Sequence, residues 1–253
     1  MIERQVEIRT QDGQMNTFIC HPERLSPHPA VIFLMDAPGI REELWDMARR
    51  LATVGYYVLL PNLYYRSGVE ELGPFIGEAH AATRQKLMQL MGTINIPLVM
   101  QDIDSLLAFA ETDPAASTSA MGCVGYCMSG QYAVNAAVRH KDRIRAAASM
   151  YGVALVTDKP DSPHLALRRT DARLYFGCAE TDQYAPQEII DQLRTEVESR
   201  RANAEVEIYP GTGHGFAFPL RPAYNKPAAE RHWERLFALF GDALAARRLR
   251  EGG

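Results

Sequence analysis

Residues 120–130, Ala120-Met-Gly-Cys-Val-Gly-Tyr-Cys-Met-Ser-Gly130, begin as a small, apolar, strand-like run and turn sharply at Gly125, Tyr126 and Cys127. From Gln131 to Arg139 the Ala and Val spacing is that of a buried helix. Strand, tight turn and helix, with a thiol at the apex, make the architecture of a nucleophile elbow, whose serine version is written G-x-S-x-G. Free N–H groups and the positive end of the helix dipole at such a turn favour a thiolate, the reactive form of cysteine. Small residues at a strand-to-helix turn also serve close packing, and a short cysteine is often core. The elbow therefore has to be weighed with the rest of the chain.

The 253 residues are 47% hydrophobic, enough for one substantial core, and one α/β domain spanning 1–253 is expected. Net charge is −4, with Lys and Arg scattered, so neither a nucleic-acid stripe nor a polybasic membrane signal is present. The first residues, Met1 to Glu7, alternate charged and apolar side chains and lack a signal-peptide core; a cytoplasmic protein is expected, with no membrane partner. Four cysteines, Cys20, Cys123, Cys127 and Cys178, are too few and scattered for a disulfide framework. Cys123 and Cys127 lack the second ligand pair of a zinc site, so reduced thiols and no metal are expected.

Strands and helices alternate along the chain. Residues 5–9 and 15–21 flank a polar Gln11-Asp-Gly turn and form a hairpin, and 30–35 is a continuous apolar run, the mark of a strand buried on both faces. A helix over 42–54 stops at Gly55, and a second buried strand covers 56–60. Helices follow at 78–91 and 98–112, then the elbow, a strand at 146–151, another at 173–177, a helix from Pro186 to about 200, a strand at 205–209 and a closing helix at 228–246. Such alternation predicts a mainly parallel sheet with helices on both faces. The less regular segments 64–97 and 153–170 are expected to wall a pocket, and 247–253 to fray.

Ligands of such sheets bind beyond the carboxyl ends of the strands. Besides Cys127, two loops of that kind carry chemistry. Cys178-Ala-Glu-Thr-Asp-Gln-Tyr-Ala-Pro186 places Asp182 after a strand, where a plain helix cap is the alternative, and Gly211-Thr-Gly-His-Gly-Phe216 places His214 in a glycine-rich loop. Nucleophile, acid, histidine, each at the end of a late strand, is the order used by α/β-hydrolases. Met35-Asp36-Ala37-Pro38-Gly39 follows the early buried strand, where the Ala37 N–H would face that of Met128 as an oxyanion hole. Asp36 would lie beside the thiol, and a carboxylate there disfavours the thiolate or takes up the thiol proton.

The chain resembles the dienelactone hydrolase (carboxymethylenebutenolidase) family of the α/β-hydrolase fold over nearly its whole length. The residues that carry the resemblance are Gly125-Tyr-Cys-Met-Ser-Gly130, Asp182 four before Pro186, His214-Gly-Phe-Ala217, Pro61-Asn-Leu-Tyr-Tyr-Arg66 and Ala229-Glu-Arg-His-Trp233. The resemblance implies cleavage of a small-molecule lactone or ester by a cysteine nucleophile, without metal or organic cofactor, and puts Asp36 in the place of a regulatory glutamate. Three departures stand out. Ser129 occupies a position that is usually glycine, Asp36 is one methylene shorter than the glutamate, and Phe218 stands where the second of two carboxylate-binding arginines is expected, Arg84 matching the first.

The expectation is a cofactor-free ester or lactone hydrolase, monomeric or weakly dimeric, in which His214, oriented by Asp182, serves the Cys127 thiolate and Phe216 and Phe218 line an apolar mouth. Thioester cleavage and acyl transfer use the same parts. The rival from another class is a binding or sensing protein with a silent thiol; a dinucleotide enzyme is disfavoured because no G-x-G-x-x-G turn follows an early strand.

Overall fold

The computed structural model describes residues 1–24, 27–73 and 80–244. Eight strands form one sheet in the order β1-β2-β4-β3-β5-β6-β7-β8. β1 (Ile2–Arg9) and β2 (Gln14–His21) are the antiparallel hairpin, and β2 runs antiparallel to β4 (Tyr57–Pro61). From β4 onward the neighbours are parallel: β3 (His28–Leu34), β5 (Ala116–Tyr126), β6 (Ile144–Met150), β7 (Arg173–Thr181) and β8 (Ala204–Gly213). This is the α/β-hydrolase arrangement, with its antiparallel hairpin at one edge.

The first crossover, from β3 through α1 (Glu42–Thr53) to β4, steps toward the hairpin; the later ones, from β5 through α4 (Gly130–Arg139) to β6 and from β7 through α5 (Gln187–Arg200) to β8, step the other way. Right-handed crossovers in opposite directions put their helices on opposite faces. Accordingly α1 meets the closing helix α6 (Lys226–Leu244), where Arg50 reaches Glu230 at 2.5 Å and lies 4.8 Å from the Trp233 ring. On the other face α4 meets α3 (Ile96–Thr112), Arg139 donating to Asp104 at 2.8 Å. The reversal falls between β3 and β5, where Leu34 is level with Gly125, so the loop after β3 and the elbow after β5 open at one point.

Local chemistry fixes these elements. β3 is buried along nearly its full length, as its unbroken apolar run requires. α1 has Glu42 and Glu43 in its first turn and Arg50 in its last, matching the helix dipole. α3 starts two residues earlier than expected, because Asn95 caps it by accepting the Leu98 N–H at 3.0 Å and Pro97 is accommodated in the first turn. α2 (His80–Met91) begins at the edge of the described residues. Pro186 is the cap residue of α5 and not a helical one.

Two expected strands are too short. β7 continues through Cys178 to Thr181, and β8 continues through residues 211–213, where a register shift between Ala179 and Thr181 absorbs the glycines. Residues 74–79 of the first predicted wall segment and the tail 247–253 lie outside the described residues. Among the described residues no helix is long and apolar enough to cross a membrane.

Candidate active site

The elbow is built from small residues because larger ones would collide. A Cβ on Gly125 would lie 2.1 Å from the Ser129 carbonyl oxygen, and one on Gly130 would lie 2.3 Å from Ser149 Oγ and 2.7 Å from Gly152 Cα. The chain can therefore fold back on itself and α4 can close onto β6. At the apex Cys127 is held at φ 54°, a left-handed conformation that a non-glycine residue adopts only when its surroundings impose it. A short 3-10 turn, Cys127–Ser129, leads into α4. Cys127 is partly exposed, whereas Cys20, Cys123 and Cys178 are buried. Burial pushes the Cys20 and Cys178 thiols up to about 12 and raises that of Cys123 as well, so none of the three is prone to ionise.

Asp182 sits just past β7, its carboxylate almost fully buried. Oδ1 accepts the Tyr184 N–H at 2.8 Å, and Oδ2 accepts from His214 Nδ1 at 2.7 Å. The turn-forming and histidine-orienting roles that compete in the sequence are thus filled by one oxygen each. Glu180, two residues before Asp182, instead accepts the Gly211 N–H on its Oε2 at 2.9 Å. The His214 ring lies edge-on to Tyr151 at 5.2 Å and to Tyr184 at 4.8 Å. Burial by itself would lower the pKa of His214; the Asp182 hydrogen bond and the nearby Cys127 sulfur outweigh it and push the imidazole up to about 10. Nε2 makes no hydrogen bond of ordinary geometry, and the Cys127 sulfur is the nearby group that acts on the ring from outside the Asp182 pair.

The predicted oxyanion residues lie on facing elements at the sheet's switch point, Ala37 and Met128 both buried. Tyr64 bridges them: its hydroxyl donates to the Ala37 carbonyl at 2.9 Å and lies 3.3 Å from Met128 Sδ.

Asp36 is not a free carboxylate beside the thiol. It is 2% exposed and accepts from Arg41 at 2.6 and 3.1 Å and from Arg221 at 3.0 Å. Arg41 also donates to Glu43 at 2.7 and 3.0 Å, and Glu43 Oε1 accepts the Leu220 N–H at 2.8 Å. Burial would lower the Arg41 pKa, but Asp36 and Glu43 hold it above its ordinary value. Sequence reasoning missed Arg221 because it lies seven residues past His214, where only the intervening loop's path brings it back to Asp36.

Phe216 and Phe218 correct an expectation. They are 0% and 1% exposed and form no apolar mouth. Phe216 packs on Tyr209 at 4.7 Å and Tyr151 at 5.3 Å, and Phe218 on Tyr126 at 5.4 Å with the Arg41 guanidinium 5.1 Å from its ring. Gly215, at φ 87°, turns the loop so that both rings point inward. The exposed rings and chains on these loops are instead Tyr184, 48% exposed, and Leu220, 80% exposed. Arg84 is exposed on α2, and no contact among the described residues joins it to Cys127 or His214. Arg66 serves structure, holding buried Asp102 through two bonds of 2.8 Å.

The sheet order and its flanking helices define an α/β-hydrolase fold, with Cys127 at the apex of the turn after β5 and the bonded Asp182–His214 pair past the ends of β7 and β8. The dienelactone hydrolase family model matches residues 15–244, and the chain belongs to that family; it is an ester or lactone hydrolase of that type. A protein of Methylorubrum extorquens named as a carboxymethylenebutenolidase is 28% identical over 246 residues, covering 93% of this chain and 79% of its own. One of the same name from Escherichia coli K12 is 28% identical over 238 residues, covering 92% and 84%. A crystal structure from Klebsiella pneumoniae described as a dienelactone hydrolase superposes with a TM-score of 0.82 at 23% identity, covering 95% of this chain and 98% of that one.

Proposed function

We propose that the chain hydrolyses neutral carboxylic esters or lactones through Cys127, His214 and Asp182, with the N–H groups of Ala37 and Met128 as oxyanion donors. The observation that carries the reading is the imidazole of His214, bonded to Asp182 and raised to about 10 beside the sulfur on the elbow. A cationic imidazole favours a thiolate at its side, and the thiolate is the reactive form of the nucleophile.

The thiolate attacks the acyl carbon, and the carbonyl electrons move onto oxygen facing the two N–H groups. Collapse of that adduct expels the alkoxide, which takes the Nε2 proton of His214 and leaves an acyl-cysteine. Water then gives a proton to neutral His214 and its hydroxide adds to the thioester; collapse returns the thiolate and the carboxylic acid, and Asp182 keeps the ring oriented throughout. For a lactone the alkoxide stays tethered to the acyl group.

Neutral substrates are favoured by the cluster beside the site. Asp36, Glu43, Arg41 and Arg221 carry two negative and two positive charges in mutual contact, so a substrate carboxylate has to displace an existing pair. Tyr184 and Leu220 add apolar surface to the loops that follow the acid and the base. The reading is tested by kinetics of Cys127→Ala: turnover of a p-nitrophenyl ester should vanish with the fold intact, and retention of most of the activity would refute it.

A further inference from the structure

Three successive peptide carbonyls of the loop after β3 are each tied down. The Met35 carbonyl accepts from Ser129 Oγ at 2.5 Å, the Asp36 carbonyl accepts the Gly39 N–H at 3.1 Å, and the Ala37 carbonyl accepts from Tyr64 at 2.9 Å. A trans peptide is planar, so fixing the Asp36 carbonyl fixes the Ala37 N–H on the opposite side. Of the three ties, the one from Ser129 is special in its origin. Ser129 directly follows Met128, whose N–H is the other proposed donor, and it is wholly buried. Its hydroxyl thus joins the two segments that carry the proposed donors, reaching 94 positions back to the carbonyl two residues before Ala37. A buried hydroxyl in a short bond to a carbonyl has no water to replace the partner if it is lost.

We infer that Ser129 is a positioning residue that sets the gap between the Ala37 and Met128 N–H groups and so tunes stabilisation of the oxyanion. The inference rests on the hydrolase reading above. Donor placement matters because the donors must meet the oxygen where its charge develops, and a shift of about 1 Å can cost as much as a hundredfold in rate.

The test compares wild type, Ser129→Ala and Ser129→Gly on an ester and on its thionoester, alongside alkylation of Cys127 by iodoacetamide. Alkylation needs the thiolate but forms no oxyanion, which separates the hole from the nucleophile. Both variants should lose about tenfold in kcat with little change in KM, close to 1.4 kcal/mol of transition-state stabilisation. The rate advantage of ester over thionoester should shrink by a similar factor, and the alkylation rate should stay within twofold, or about 0.4 kcal/mol. Ser129→Ala with wild-type kcat and an unchanged ester-to-thionoester ratio would overturn the inference, as would equal losses in hydrolysis and alkylation, which would place the effect on the thiol. If Ser129→Gly fails to fold, Ser129→Ala alone decides, since it removes only the hydroxyl. Wild type is first compared with Cys127→Ala: absence of Cys127-dependent turnover there would overturn the hydrolase reading and this inference with it, a result distinct from a silent Ser129.

Discussion

Asp36→Ala separates two accounts of that carboxylate. If Asp36 modulates the thiol, its loss changes reactivity and leaves stability alone. The structure instead has it neutralising two guanidinium groups, with three bonds of 2.6, 3.1 and 3.0 Å and Arg41 only 11% exposed at its side chain. Removing one partner of a buried ion pair leaves an uncompensated charge and costs about 3–5 kcal/mol. Unfolding entropy near 60 °C is roughly 2.1 cal/mol/K per residue, so 253 residues give about 0.53 kcal/mol/K and the melting temperature should fall by about 6–9 °C. Calorimetry at pH 7 measures it. The triple variant Asp36→Ala/Arg41→Met/Glu43→Gln should recover part of the loss, because Arg41 is removed together with both carboxylates it pairs with. A single-variant shift within about 2 °C, roughly 1 kcal/mol, would refute the argument.

Asp182→Asn should lower kcat by on the order of a hundredfold or more, since the amide no longer holds the Nδ1 proton in one orientation; stopped-flow or steady-state kinetics would read it, and near-normal turnover would move the acid's role elsewhere. His214 has a folded-state pKa raised from 6.5 to about 10, so its protonation stabilises the fold fully below 6.5, and that contribution is lost as pH rises through about 10. The melting-temperature difference between wild type and His214→Gln should therefore shrink from pH 6 to pH 10; a constant difference would contradict the raised value. For a matched pair of esters differing by one carboxylate, wild type should favour the neutral member in kcat/KM by about tenfold or more. Preference for the anion would mean that Arg221 leaves Asp36 for the substrate. Phe218→Arg should destabilise the protein and not redirect specificity, because it buries a charge among Tyr126 and Tyr151.

Those features of the site that depend on strand ends were legible in the sequence. Cys127, Asp182 and His214 each follow a strand whose apolar run or glycine turn is visible in the chain, and the parallel sheet then brings the three ends together. What was not legible depends on the path of a loop. Alternation of Phe216 and Phe218 around Gly215 gives no sign of which way the rings point, and the turn sends both into the core. Arg221 and Glu43 meet around Asp36 and Arg41 only because residues 218–221 pass over the start of α1, as the Leu220 bond to Glu43 records. Ser129 is one small residue among several at the turn, and nothing in its place along the chain shows that its hydroxyl has a partner 94 positions away. Strand lengths were underestimated where polar or glycine residues continue a ladder, as in Ser117-Thr-Ser119 of β5 and residues 211–213 of β8.

The central claim is that acyl groups pass through Cys127. Mixing the protein with a slowly turned-over p-nitrophenyl ester, quenching in acid and mapping peptides by mass spectrometry tests it directly, with fragment ions separating Cys127 from Cys123 four residues away. A mass increment equal to the acyl group should appear on Cys127, forming and decaying with the kinetics of turnover, while Cys20, Cys123 and Cys178 stay unmodified. Turnover with no acyl group on Cys127, or with the acyl group on another residue, would contradict the account.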